Sequence, residues 1–434
     1  MQTSPKGTLR PAGRRRAPAG LGPPHRRPGR RVAVVHPRFA GVRPAAVLAC
    51  ATPADVAAAL ATARRRRLPV AVRGGGHCFA GRSSTTGIVI DTTPMAGVRL
   101  DGDHAVVGAG TRLAELYDRL GTHGRALPAG CGPTVGITGL TLGGGLGILG
   151  RRYGLTCDSL LAATLVLADG RTIEADDDLL WALRGGGAPG VVVSLTFATV
   201  PAPRCTAFRL GYPAAGAADL LDAWQHAVPE LDAATAPSLT ITAPADPTRA
   251  PRVTVVGAAD DDAAVGVLCR ALGQRPTAEA RHRDVLPAVK RWLAGPDHPD
   301  PGFAHPRSEF FRTTVPASAL VERLTTGREP GEERELDFTP WGGAYNRPPA
   351  GATAFPHRDA RFLLKQTATV RAGRTPGGWL GASYALTHPY GTGGAYPNFP
   401  EPHLGAEAYY LGNLDRLRRI HAGHDPGGVF RPLW

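Results

Sequence analysis

Ten glycines fall within the 25 residues from Gly130 to Gly154, in the run Leu127-Pro-Ala-Gly-Cys-Gly-Pro-Thr-Val-Gly-Ile-Thr-Gly-Leu-Thr-Leu-Gly-Gly-Gly-Leu-Gly-Ile-Leu-Gly-Arg-Arg-Tyr-Gly154. Each glycine inside a helix costs up to ~1 kcal/mol relative to alanine, so helix propensity does not explain the run. A flexible linker is the bland alternative, but Thr, Val, Ile and Leu are interleaved throughout, and linkers lack that apolar content. The pattern suits backbone laid closely along a long, flat, polar ligand.

A second cluster strengthens that reading. In Val70-Ala-Val-Arg-Gly-Gly-Gly-His-Cys-Phe-Ala-Gly81 a β-branched strand runs into three glycines and then a histidine. Gly74, Gly75 and Gly76 allow backbone N–H groups to converge on an anion such as a phosphate. His77 follows directly, a nucleophile beside whatever the glycines hold. Taken alone, the segment also reads as a tight turn with a structural histidine. Together the two clusters point to a cofactor gripped by its phosphates and open to a bond with the protein at its reactive end.

At 434 residues, 43% hydrophobic and 20% charged, the chain has the composition of a soluble globular protein with room for two or three domains. No run approaches the ~18 apolar residues of a membrane helix, so no membrane partner is expected. The net charge of +14 raises a nucleic-acid reading. Residues 1–43, however, hold eleven of the Lys and Arg residues and no acid, leaving 39 basic against 36 acidic residues elsewhere. The charge belongs to a Pro/Gly/Arg-rich tail that is expected to be disordered, and no nucleic-acid partner is expected. That tail reads as an anion-binding arm or as residue upstream of the functional start. The second is favoured, and Val32-Ala-Val-Val is too short for a secretory core. Six cysteines (Cys50, Cys78, Cys131, Cys157, Cys205 and Cys269) show no CxxC spacing, which argues against zinc and a disulfide framework and for a reducing cytoplasm.

Residues 46–72 predict strand, helix, strand, with Thr52-Pro-Ala-Asp as the helix start. Further strands are expected at 88–91, 105–110, 163–167 and 190–197, with helices at 113–120 and 179–183. Pro201-Ala-Pro-Arg is a boundary. Beyond it, helices at about 217–227, 260–272 and 316–324 mix with strands at 239–242 and 253–256. Residues 405–421 predict one final helix.

Arg73-Gly-Gly-Gly-His77, Pro133-Thr-Val-Gly136 and Gly139-Leu-Thr-Leu-Gly-Gly-Gly-Leu-Gly147 resemble the flavin-binding signature of FAD-linked oxidases of the berberine bridge enzyme-like group, which includes 6-hydroxy-D-nicotine oxidase. Asp158-Ser-Leu, Leu180-Trp-Ala-Leu-Arg-Gly-Gly-Gly187, Trp341-Gly-Gly-Ala344, Phe355-Pro-His-Arg358, Tyr396-Pro-Asn398 and the Tyr409–Phe430 segment extend the likeness over about residues 44–434. It implies an α+β chain: a two-subdomain PCMH-type FAD-binding domain (44–205), a substrate domain whose antiparallel sheet is covered by helices (206–395), and a segment, 396–434, returning to the first. It also implies FAD held by Arg73, Gly74, Gly75, Gly76, His77, Cys78, Gly81, Pro133, Thr134, Val135, Gly136, Gly139, Leu140, Gly143, Gly144, Gly145, Gly147, Asp158 and Asn398.

The same resemblance implies a bond from His77 to the flavin 8α carbon, against the alternative of a histidine that only packs on the ring. Part of the family adds a cysteine bond directly before Pro-Thr-Val-Gly. Here that position is Gly132 and Cys131 comes one residue early, so His77 is expected to be the only tether and Cys131 a small, partly buried thiol. Cys78 and Ala188-Pro-Gly190 also depart from the family pattern. The implied chemistry is an oxidase that moves hydride from a C–OH or C–N centre of a small molecule to flavin N5, with O2 as acceptor. A dehydrogenase and a non-catalytic flavin-sequestering protein are its rivals.

Tyr396 matches the family's candidate base and contacts substrate; the alternative is a hydrogen-bonding wall. An ordinary tyrosine, with its pKa of ~10, needs a cation or hydrogen bond to act as a base near neutrality, and Lys365, His357 and Arg358 are candidates to supply it. Trp341 is expected on the substrate surface or in an ordinary core. Tyr410 and Asn413 are expected to pin the C-terminal segment. His403, His421 and His424 lack metal-ligand spacing and are expected at the surface, with no metal.

Overall fold

The computed structural model describes residues 37–295, 302–401 and 404–432, so most of the basic tail, and His403, lie outside it. Thr52 starts the helix Pro53–Arg66: its hydroxyl accepts the Asp55 N–H, and the Asp55 carboxylate accepts the Thr52 N–H. Val56, Ala59, Leu60 and Ala63 of this helix pack on a parallel three-stranded sheet, in the order Ala46–Ala49, Ile88–Asp91, Val70–Arg73. The sheet's central strand is buried on both faces, which is why Ile88-Val-Ile reads as an unbroken apolar run. The first glycine cluster leaves the end of the outer strand at Arg73.

A second, antiparallel sheet has the order Val98–Asp101, His104–Gly108, Val191–Ala198, Leu160–Val166, Thr172–Glu174. The helices Leu113–Gly121 and Asp177–Leu183 cover it, and Tyr409, Tyr410, Leu414 and Leu417 of the C-terminal segment join the same core. That segment is not one helix. Leu411 takes φ 46° between Ala406–Tyr410 and Leu414–His424, at the Gly412-Asn413 break.

The third sheet is antiparallel, with seven strands in the order Ala278–Val285, Arg204–Tyr212, Arg252–Ala259, Ala236–Ala243, Glu332–Pro340, Phe362–Arg371, Gly302–Phe311. Alternation decides its faces. Leu336, Phe338, Phe362 and Leu364 pack under the helices Ala217–Ala227, Asp262–Ala271, Ala317–Thr325 and Trp379–Thr387. Phe310 and Leu363 face the other way and pack with Leu155, Cys157 and Tyr396. The chain is α+β, as its sequence predicts. No helix among the described residues is long and apolar enough to cross a membrane.

Trp224 anchors the large sheet. It is fully buried between Phe338 and Phe362, and its indole N–H donates to Pro237 O at 2.9 Å. Trp224→Ala should cost about 3–5 kcal/mol, read as a lower urea midpoint.

Candidate functional site

The two glycine clusters meet backbone to backbone. A β-carbon on Gly75 would lie 2.3 Å from Gly136 N, and one on Gly136 would lie 2.6 Å from Gly75 N. Only glycine tolerates that separation. The contact brings His77 Nε2 to 3.0 Å from Thr134 Oγ1. Gly76, buried, takes φ +77°. Among the described residues no acceptor faces the N–H of Gly74, Gly75 or Gly76. Gly76 is buried and Gly74 and Gly75 are partly so, and successive donors at a glycine turn suit an anion. The residues present therefore fit a cofactor that carries a diphosphate.

The triple glycine of the second cluster has a different neighbour. A β-carbon on Gly143 would lie 2.2 Å from Asn398 Oδ1, and Gly144, at φ +110°, faces the rings of Phe355 and Tyr396. The Gly145 and Leu146 N–H groups donate to Tyr396 Oη at 3.0 and 3.1 Å. Asn398 Nδ2 donates to the same oxygen at 3.2 Å and to Leu140 O at 3.0 Å. Gly143, Gly144, Gly145, Leu140, Tyr396 and Asn398 thus form one unit. Burial pushes the Tyr396 phenol up to about 12, although the three N–H donors pull it down.

None of the expected helpers touches that hydroxyl. Lys365 Nζ lies 3.0 Å from Asp337 and 3.5 Å from Glu335, over the Phe399 ring. Its burial is outweighed by those two carboxylates, which hold it protonated. His357 stacks on Phe310 and meets Tyr409 O through Nε2; burial lowers it to about 3, so it is neutral. Arg358 is committed to Asp158.

Several other sequence expectations change. Asp158 does not offer its carboxylate to a ligand: both oxygens take Arg358, at 2.6 and 2.9 Å, and one also caps the Leu155 N–H. Arg73 turns its guanidinium to Ser83 O. Trp341 is fully buried, stacked on Tyr345, with its N–H on His357 O, so it is core rather than substrate surface. Gly81 packs on Phe39 and Gly147 on Ala129 O. Cys78, Pro133 and Val135 use their carbonyls within the protein, on Gly81, Ala114 and Leu113. Gly139 has open space where a β-carbon would stand. His421 is largely buried against Gly186 O and lowered to about 4 by burial, and His424 is half-buried on Ile420 O, so neither is a surface residue. Asn413 ties the C-terminal segment to Ala350 O and Thr353 O, and Tyr410 is buried behind it.

Three residues of the site have no local sequence signal. Tyr345 donates to Gly147 O and accepts the Gly147 N–H, which holds the second cluster from the sheet side. Phe399 meets Tyr396 edge-on at 5.0 Å and Phe79 at 5.9 Å, joining the histidine loop to the tyrosine. Phe79 also borders a cavity of about 300 Å³ with Arg307, Leu380 and Glu401, wide enough for a small organic molecule.

Residues 44–176 match the family model described as an FAD binding domain, and residues 395–432 match "berberine and berberine like". An uncharacterised FAD-linked oxidoreductase of Bacillus subtilis, YvdP, is 32% identical over 400 residues, covering 87% of this chain and 88% of that protein. A second from the same organism, YgaK, is 30% identical over 418 residues, covering 89% and 90%. Among solved structures, a chitooligosaccharide oxidase superposes with TM-score 0.78 at 25% identity, covering 90% of this chain and 91% of that one. The berberine bridge enzyme of Eschscholzia californica shares the fold, with TM-score 0.82 at 23% identity, covering 92% and 91%.

Gly75→Ala should force the two loops apart at a cost of about 1–3 kcal/mol, whereas Gly139→Ala, at an open position inside the helix Ile137–Leu142, should leave stability unchanged or raise it by up to ~1 kcal/mol. Thermal midpoints of the two variants against the parent measure this. Equal midpoints for all three would mean the close contact is not required.

Proposed function

This chain belongs to the FAD-linked oxidoreductases related to berberine bridge enzyme, and from that premise we propose that it is an oxidase of small organic molecules carrying its FAD on His77. FAD held there by the two glycine loops would supply the hydride acceptor for a substrate C–OH or C–N centre and the reductant for dioxygen. The observation that carries the reading is the contact between Gly75 and Gly136 with His77 beside it. The Gly74–Gly76 N–H groups hold the diphosphate. Thr134 Oγ1 engages His77 Nε2 at 3.0 Å, and Nδ1 is the nitrogen proposed for the tether. All six cysteines lie outside disulfides, which supports a reducing, cytoplasmic setting.

Tyr396 is proposed to take the substrate proton at Oη. Its three N–H donors favour the phenolate, and the Asn398 amide, the one donor carried by a side chain, would have to release the oxygen for the substrate proton to arrive there. Burial opposes that anion and leaves the pKa at about 12, so the hydroxyl is protonated near neutrality. The basic fraction then grows about tenfold for each pH unit below that value.

Denaturing the purified protein in acid should give a yellow pellet whose His77 peptide carries one flavin; His77→Ala should release its flavin to the supernatant. A yellow His77→Ala pellet would move the tether elsewhere. Turnover in air should give one peroxide per substrate consumed, and turnover only with an added dye would identify a dehydrogenase. Tyr396→Phe should slow flavin reduction by about 10²–10⁴ while keeping the flavin. In the parent, that rate should climb with pH without levelling off near neutrality; a plateau at pH 7–8 would remove Tyr396 as the base.

A further inference from the structure

Lys290 is a buried ammonium with no role in the reaction described above. It stands on the helix Leu286–Ala294, which packs against the large sheet, and is 1% exposed. Its Nζ donates across to the second glycine cluster, to Ala129 O at 2.5 Å and Gly130 O at 3.3 Å. It lies 3.8 Å from the centre of the Tyr117 ring, and the Tyr117 hydroxyl donates to the same Gly130 oxygen. Among the described residues no carboxylate pairs with it; the neighbouring Arg291 holds Asp118. The charge is supported instead by two carbonyl dipoles and a ring face.

That arrangement sets the orientation of the loop. In a trans peptide the N–H points opposite to the C=O of the same unit. With the Ala129 and Gly130 carbonyls turned toward Lys290, the Gly130 and Cys131 N–H groups lie on the far edge. The loop continues to Thr134, which bonds His77, and to Gly136, which touches Gly75. Lys290 therefore backs the strip of chain that borders the proposed flavin.

We propose that Lys290 is a positioning residue for the flavin, fixing which edge of the 129–136 loop faces the cofactor and placing a buried positive charge behind it that makes the bound flavin easier to reduce. This rests on the flavin reading given above. In a poorly polarisable interior such a charge acts at longer range than in water, and protein charge near the ring is one of the means by which a flavin's electronics are tuned. Burial lowers Lys290 to about 8. The groups facing it do not titrate there: burial raises the Tyr117 phenol and the Cys131 thiol, and takes the Cys205 thiol to about 11.

Sulfite, which adds to oxidised flavin, reads this charge without any substrate. In purified holoprotein at pH 7, Lys290→Met should bind sulfite about tenfold more weakly than the parent, equivalent to about 30 mV for a two-electron couple. Lys290→Arg should stay close to the parent. As pH rises past about 8, the parent should show a loss of sulfite affinity, relative to Lys290→Arg, as Lys290 discharges. Equal affinity in the parent and Lys290→Met, or parallel pH curves for the parent and Lys290→Arg, would overturn the proposal. Should Lys290→Met fail to fold, the second comparison decides alone. A parent protein that carries no flavin would overturn both this proposal and the flavin reading, whereas a yellow parent with parallel curves overturns this one only.

Discussion

The contact between Gly75 and Gly136 is the constraint on which the site depends. Two loops far apart in the chain can approach to this separation only where neither has a side chain, and each is delivered by its own scaffold. The parallel sheet ends at Arg73 and hands over the first loop; the Leu113–Gly121 helix carries the second, through the Pro133 and Val135 carbonyls that receive its first N–H groups. His77 and Thr134 become neighbours as a result. Neither residue would be placed by its own local structure.

At Tyr396 two effects oppose each other. Hydrogen bonds to a charged oxygen contribute about 1.5–3 kcal/mol each, so three of them favour the phenolate substantially. Taking that charge out of water costs several kcal/mol, and burial wins, leaving a hydroxyl that titrates well above neutrality. The same three donors fix the ring's position whatever its charge. Tyr396 is therefore a wall residue and a candidate base at once, the two roles that its sequence context left open.

What the sequence revealed was local. Glycine runs, the Thr52 cap and the Val- and Ile-rich strands carry their signals within a few residues, and they stand where their patterns place them. The strand Ala278–Val285 was not legible, because it is an exposed edge whose Glu279, Arg281 and Arg283 face water and give no apolar alternation. The misassigned side chains share another cause. Arg73, Asp158, Lys365 and Trp341 are each claimed by a partner brought by the fold: Ser83, Arg358, the Asp337–Glu335 pair and Tyr345. A motif tells which residue types surround a cofactor, but not which of them face it. Lys290 had no motif at all; only the packing of its helix against the Leu113–Gly121 helix shows what it holds.

The seat of the Tyr396 hydroxyl joins Gly145 and Leu146 to a residue some 250 positions later in the chain. During synthesis, the glycine-rich trough emerges from the ribosome long before the ring that closes it. A nascent chain halted before Tyr396 has the glycine-rich loop but not the hydroxyl oxygen that its Gly145 and Leu146 N–H groups hold. Closure of that trough therefore waits on a residue made long after it.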